Sequence, residues 1–440
     1  MRLLLVSLVD DNLGDNLIGI CFRQLMNVVL ENHGVPQAGS ERTEAAAGED
    51  AAEVLRMSLR EIDEDLVATS DAIFFAGGGI VGHSYLGFNE YVDRITGIAQ
   101  ERGIPVVFSS LGINNMDADR SNADGLRRIL DRSCVKAIAV RENLAEFRKH
   151  ASRDDFELVS DPAVWSKWVY GLEPRRGDYR VGINVVRAGL FRANGRDWSE
   201  QQAFAYLAGL RRMLDGAGIP SVYYTNGSTD DNITLRILAE RLGLPDDQVI
   251  TPHTTREVVE TVAGFDAIAA IRMHSSIIAY SFGIPTVTLT WNDKIPFFYS
   301  AIGHPERALD FPEWSSRAAF EQLRSFPREG ERTGAGGDYE AFLMSLYRYL
   351  YRVVAEIVRG EEADFGGMYD FETVARALAA RAAEIDEDAT DLRFKLEKLE
   401  TRYRDTSNEF RSVPQQAANL VKRILLASAR LFVRARPSGR

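Results

Sequence analysis

The stretch Asp266-Ala-Ile-Ala-Ala-Ile271 is a run of strand length that ends in Arg272-Met273-His274-Ser275-Ser276. An apolar helical segment near 274–282 follows, then Gly283-Ile284-Pro285 and a second β-rich run, Thr286 to Thr290. Strand, helix and strand with turn residues between them make a parallel βαβ unit. The same alternation extends upstream: strands are expected at Arg180 to Val186, Ser221 to Thr225 and Gln248 to Thr251, separated by helices near 199–217, 230–243 and 254–264. A further set precedes it, with strands at Leu3 to Val9, Ala72 to Ala76, Ile104 to Ser109 and Ala137 to Val140 and helices near 15–33, 85–102, 121–132 and 142–149. The loop-like Gly171 to Gly177 divides the two sets. The fold class is therefore α/β, with two doubly wound domains over residues 1–170 and 178–325 and a helical C-terminal extension over 338–440. Ligands of such sheets bind at the carboxyl ends of the strands, so two of them facing one another create a cleft.

The chain has 440 residues, 45% of them hydrophobic and 26% charged, which is ordinary globular usage for two or three domains. With 52 basic and 64 acidic residues the net charge is −12, which argues against a general grip on nucleic acid. The two cysteines, Cys21 and Cys134, lie in apolar stretches without metal or redox spacing, and a reducing cytoplasm fits them. No run reaches the eighteen or so apolar residues that span a bilayer. The opening Met1-Arg2-Leu-Leu-Leu-Val-Ser-Leu-Val9 has the look of a signal peptide, but Asp10 and Asp11 stop it early, so a buried first strand is expected.

The residues after the strands carry the chemistry. Asp10-Asp11-Asn12-Leu13-Gly14-Asp15-Asn16 follows the first strand, and Asp15 and Asn16 suit either a helix cap or a contact to sugar hydroxyls. Ala72 to Ala76 runs into Gly77-Gly78-Gly79-Ile80-Val81-Gly82, formally GxGxxG. No acidic residue ends the next strand as a dinucleotide site requires, so these glycines read as a flexible loop that lets a ligand approach backbone. Asn114 closes the next strand, and Arg141-Glu142 the one after, either as an anion contact or as a local ion pair. In the second half Arg187 follows the opening strand. Thr254 and Glu257 have capping-box spacing, with His253 just outside the cap. Arg272 and His274, two apart beyond a strand, are expected on the same side of the chain at the cleft edge, with the alternative of a satisfied pair at a domain interface.

These residues resemble a known family. Asn12-Leu-Gly-Asp-Asn16, the strand into Gly77-Gly78-Gly79, Leu111-Gly-Ile-Asn114, Val140-Arg-Glu142, Ser160-Asp-Pro162, His253-Thr-Thr-x-Glu257 and above all Arg272-Met-His274 with its helix and Gly283-Ile-Pro285, through Asp293-Lys294, look like the polysaccharide pyruvyltransferase family over about residues 1–305. The resemblance implies two Rossmann-like domains as in GT-B glycosyltransferases, and transfer of a pyruvyl group from phosphoenolpyruvate to a sugar as a ketal in cell-surface or exopolysaccharide biosynthesis. It implies donor-site roles for Arg272, His274 and Arg187. The segment after about 335 is not part of the pattern.

The chemistry agrees with the residues. Phosphoenolpyruvate is a carboxylate and a phosphate in one molecule, and Arg187, Arg272 and Lys294, with Ser275 beside them, supply fixed donors for both. His274 is suited to the acid, with a nearby anion expected to raise its pKa, and Asp15 or Glu142 to the base. The donor is a substrate, so no cofactor is expected, and no histidine or carboxylate spacing suggests a metal. The acceptor that the resemblance implies is a glycan or a lipid-linked sugar. Two other functions compete: a GT-B glycosyltransferase using a nucleotide sugar, for which Trp291-Asn-Asp-Lys294 offers one carboxylate where two are wanted, and a non-catalytic assembly subunit. In the extension Leu392, Leu396, Leu399 and Tyr403 share one helix face and suit docking or a homo-oligomer. Residues 417–440 carry six basic side chains and no acidic one beside an apolar stripe, which suits peripheral contact with the inner face of the cytoplasmic membrane.

Overall fold

The computed structural model describes residues 1–9, 11–37, 51–82, 88–114, 120–175, 177–187, 189–326 and 337–385. Two sheets, each built from parallel strands, organise them. The first comprises β1 Arg2–Ser7, β2 Glu53–Ser58, β3 Ala72–Phe75, β4 Gly78–Gly82, β5 Val106–Asn114, β6 Val135–Val140 and β7 Phe156–Leu158, in the order β2-β1-β3-β5-β6-β7 with β4 paired to β5. The second comprises β8 Val181–Asn184, β9 Ser221–Tyr224, β10 Val249–Ile250, β11 Ala267–Ala270, β12 Thr286–Leu289 and β13 Ala308–Leu309, in the order β10-β9-β8-β11-β12-β13. The second order is that of a Rossmann sheet, with the reversal of winding between β8 and β11; in the first sheet it falls between β1 and β3. The fold is thus α/β with two doubly wound, Rossmann-like halves.

Strand β1 is apolar from Leu3 to Val6 because both faces are covered. Leu3 and Leu5 enter one core and Leu4 and Val6 the other. The first of these cores continues into the second half through Trp165, Tyr170 and Ile183. The opening apolar run of the chain is this central strand.

Several elements depart from the sequence expectation. β2, β7 and β13 lie at sheet edges, where one side of a strand is uncovered and the sequence loses its apolar signature; Glu157 and Leu158 of β7 are exposed. The glycine run is not a flexible loop. Gly78 to Gly82 is strand β4, buried along its length, with Gly78 opposite Leu111 and Gly82 opposite Asn114. At Gly77, φ is +105° and an added Cβ would lie 2.6 Å from the Ser110 carbonyl oxygen, so glycine is required there by close backbone packing.

The helix Gly337–Val353 packs back on the Rossmann halves. Tyr349 donates its hydroxyl to the Phe108 carbonyl at 2.8 Å, Tyr347 to Asn32 Oδ1 at 2.8 Å, and Tyr339 to the Ser281 carbonyl at 3.1 Å. The helix Phe371–Ala380 follows, with the Phe371 ring against Trp165 and Trp168. The proposed docking face Leu392 to Tyr403 and the basic segment 417–440 lie outside the described residues. No described helix is long and apolar enough to cross a membrane.

Candidate active site

The turn after β1 enters the other half of the molecule. Asn12 caps the helix Leu13–Asn32, accepting from the Gly14 amide and donating to Asp15 Oδ2 at 2.6 Å. Leu13 packs against Gly227, Asp11 Oδ2 accepts from the Thr229 amide at 3.3 Å, and Gly14 lies flat against the His274 imidazole. A Cβ at Gly14 would run into the ring, 2.6 Å from its Cγ. The carboxyl edges of the two sheets therefore meet at this turn.

His274 reaches that position because the chain turns helical directly after β11. Arg272 is the N-cap of the helix Met273–Ser281, and His274 stands in its first turn. Residues two apart on a helix point in different directions, so the expectation that Arg272 and His274 share one side is corrected. Arg272 turns back to Asp231, which has no exposed surface, in a bidentate pair at 2.9 and 3.0 Å. Asp231 Oδ1 also accepts from the Arg187 amide at 2.8 Å, and the Arg187 side chain is exposed. Ser275 is buried and donates to Asn226 Oδ1 at 2.5 Å.

Around His274 gathers a set of charges from both halves. Arg141, beyond β6, donates from Nε to Glu142 Oε2 at 2.6 Å and from Nη1 to Asp161 Oδ2; all three side chains are buried. The local ion pair and the cleft position are thus both present. Gly112 makes room for them, since a Cβ there would strike Glu142 Oε1 and lie 2.8 Å from Arg141 Nη2. Asp161 is fixed by capping the short 3-10 helix Pro162–Trp165, with Oδ1 accepting from the Ala163 amide at 2.8 Å. Asp15 and Lys294, the latter in the first turn of the helix Lys294–Ala301, complete the group.

Burial dominates its electrostatics. Desolvation lowers the pKa of His274, which is 8% exposed; Asp161 and Asp15 pull it upward and Arg141 and Lys294 push it further down. The anions near His274 therefore do not raise it above its ordinary value, because desolvation and two cations outweigh them. Burial lifts Glu142, with Arg141 and Lys294 opposing. It lowers Lys294 to about 8, with Glu142 the largest opposing influence. Arg141 is desolvated as well, yet Glu142 and Asp161 together overcome this and hold it firmly charged. Glu142 Oε1 and His274 Nε2 are buried without a hydrogen-bond partner. A narrow cavity, with room for about one water molecule, adjoins the cluster, lined by Arg141, Glu142 and Asp161 on one side and by Met273, Phe298 and Phe342 on another.

The remaining candidates do not join these charges. Asn16 is buried one residue beyond Asp15, and Asn114 ends β5. Thr254 caps the helix Thr255–Ala263 as expected, while the Glu257 carboxylate accepts from the amide of His253 at 2.7 Å. Asp161 had no role in the sequence reading, although Ser160-Asp161-Pro162 was visible as a motif; an Asp before Pro reads as a cap, and only the fold brings it to Arg141. Among the described residues no group of three or more His, Cys, Asp or Glu is arranged to hold a metal ion.

Two Rossmann-like halves whose strand ends share one cluster of titratable side chains define a GT-B-type scaffold. The chain belongs to the polysaccharide pyruvyl transferase family, whose model matches residues 12–293. It is a family of transferases that implies a glycan acceptor. Among solved structures the chain is similar to a putative UDP-N-acetylglucosamine 2-epimerase of Listeria monocytogenes, at 8% identity and a TM-score of 0.53, covering 82% of this chain and 98% of that one. A UDP-GlcNAc 2-epimerase of Methanocaldococcus jannaschii matches at 11% identity and 0.44, covering 80% and 98%. A family 9 glycosyl transferase of Veillonella parvula matches at 11% and 0.31, covering 81% and 97%. No curated protein matches the chain significantly.

Proposed function

We propose that the protein transfers the pyruvyl group of phosphoenolpyruvate to two hydroxyls of a cell-surface glycan or its lipid-linked precursor, forming a ketal and releasing phosphate. The observation that carries this reading is the buried cluster at the junction of the halves, where His274 Nε2 and Glu142 Oε1 are unpartnered amid fixed cations. A small polyanion with an acid-labile enol suits such a site: Lys294, and Arg272 and Arg187 at the neighbouring edge, meet the carboxylate and phosphate.

A proton from His274 is added to the methylene carbon of the enol while a sugar hydroxyl oxygen bonds to the central carbon, and that hydroxyl's proton passes to Glu142 or Asp15. The bond from the central carbon to the phosphate oxygen breaks, with the electron pair leaving on phosphate. The second hydroxyl then attacks the same carbon, and its proton leaves with the phosphate. Net, one hydroxyl hydrogen completes the methyl group and the other is carried off. His274 begins neutral near pH 7, so the polyanionic donor has to raise its pKa before it acts as the acid. The donor carries its own activated bond, and the reading needs no cofactor.

Incubation with phosphoenolpyruvate and a panel of glycan acceptors, followed by mass spectrometry and phosphate assay, tests it. A pyruvyl adduct with equimolar phosphate is expected. Diphosphonucleoside release from a UDP-sugar, with no reaction of phosphoenolpyruvate, would overturn it in favour of sugar transfer.

A further inference from the structure

The family model ends at residue 293, yet the helix Gly337–Val353 reaches the loop that carries Asp161. Ser345 Oγ accepts from the Ser160 amide at 2.8 Å and donates to the Phe342 carbonyl at 2.6 Å. The Leu343 carbonyl accepts from Ser160 Oγ at 3.3 Å and from Trp165 Nε1 at 3.2 Å. Ser160 and Trp165 are fully buried and flank Asp161 on either side. From the sheet, Ser110 Oγ donates to the Ser160 carbonyl at 3.0 Å. One turn of this helix therefore holds both ends of the segment that presents the Asp161 carboxylate to Arg141, and Phe342 in the same turn lines the adjoining cavity.

We infer that this helix is a working part of the active site and that Ser345 is a positioning residue, acting through Ser160 to aim Asp161 at Arg141 and towards His274. The geometry explains why a serine stands there. The Ser160 amide is not in a strand or helix, so its donor needs an acceptor from elsewhere. A hydroxyl that donates back into its own helix presents its oxygen lone pair outward in a fixed direction. Alanine at 345 leaves the Ser160 amide without that acceptor, and the turn is then free to shift relative to Arg141.

The charged groups facing His274 are Asp161, Asp15, Arg141 and Lys294. Asp161 favours the charged imidazole, so withdrawing it lowers the His274 pKa. A residue that only stabilises the fold would lower the melting temperature and leave that titration where it was. The effect on turnover rests on the pyruvyl-transfer reading; the aiming of Asp161 does not.

The test is an NMR titration of the histidine ring signals in the full chain without substrate, with the His274 resonance assigned by its loss in His274→Gln. Ser345→Ala is expected to move the His274 midpoint to lower pH in the direction of Asp161→Asn, and Ser345→Thr, which keeps the hydroxyl, to restore it. Should Ser345→Ala not fold, Ser345→Cys keeps the volume with a weaker acceptor and is expected to give a smaller shift of the same sign. Phosphate release at saturating phosphoenolpyruvate is expected to fall about tenfold in Ser345→Ala and to recover in Ser345→Thr. An unchanged midpoint in a folded Ser345→Ala or Ser345→Cys protein overturns the inference, whatever reaction the enzyme catalyses. Wild-type protein that ignores phosphoenolpyruvate while the midpoint still moves overturns only the reaction.

Discussion

At the scale of single residues, the glycine against His274 makes a sharp test. Gly14 sits in the first turn of a helix, where alanine is intrinsically better by about 1 kcal/mol. It also touches the imidazole, so an added methyl must displace the ring. Gly14→Ala is expected to keep the far-UV spectrum of the wild type while lowering turnover at least tenfold; undiminished turnover would remove His274 from the reaction. His274→Gln itself is expected to retain most donor affinity and lose on the order of a hundredfold in turnover, as for loss of a general acid, read by calorimetric titration of phosphoenolpyruvate beside phosphate-release rates. Lys294 adds a pH signature. Its pKa of about 8 in the folded protein means that its charge disappears as pH rises through 8, well below the range of an exposed lysine. Donor affinity is accordingly expected to weaken above pH 8 in the wild type, and in Lys294→Arg to persist to higher pH because guanidinium stays protonated. A flat profile in the wild type would take Lys294 out of the donor contacts.

At the scale of elements, the helix Thr229–Leu242 buries one carboxylate, Asp231, that accepts from two groups outside the helix: the Arg272 side chain and the Arg187 amide. Removing it takes a bidentate partner from a largely buried guanidinium, and Asp231→Ala is expected to destabilise the fold by about 3 kcal/mol or more in urea denaturation. A loss under 1 kcal/mol would mean that Arg272 finds another partner. The elements also show what a sequence can reveal. Central strands such as β1 and β11 are legible because both faces are apolar. Edge strands β2 and β7 are mixed in polarity and read as loop, and β4 is invisible because three of its five residues are glycine. Arg272 and His274 were legible as site candidates through their place after a strand, whereas their divergence depends on where the helix begins, which differs by a single residue from a strand end. Asp161 was illegible as a partner of Arg141: twenty residues separate them, and their meeting is a property of β6 lying beside β7.

At the scale of the whole molecule, the candidate site lies where the two halves touch. Asp15, Arg141, Glu142 and Asp161 belong to the first sheet's side and His274 and Lys294 to the second, so the influences that cross between them, of Asp161 and Asp15 on His274 and of Glu142 on Lys294, depend on the seating of one half against the other. The seat is made by Leu13, 1% exposed, against Gly227, whose φ of +84° and missing side chain leave the space that the leucine fills. A Cβ at Gly227 would overlap the Leu13 side chain and strain the backbone as well. The two causes can be separated by a double-mutant cycle. Gly227→Ala is expected to destabilise the protein and depress turnover; Leu13→Ala costs about 2 kcal/mol or more by opening a cavity. If the overlap dominates, shortening Leu13 makes room for the new methyl, and the double variant is expected to be more stable than the sum of the single effects by about 1 kcal/mol or more, with turnover partly restored. Strict additivity in denaturation would show instead that the Gly227 effect is backbone strain alone, and that the contact with Leu13 does not seat the halves.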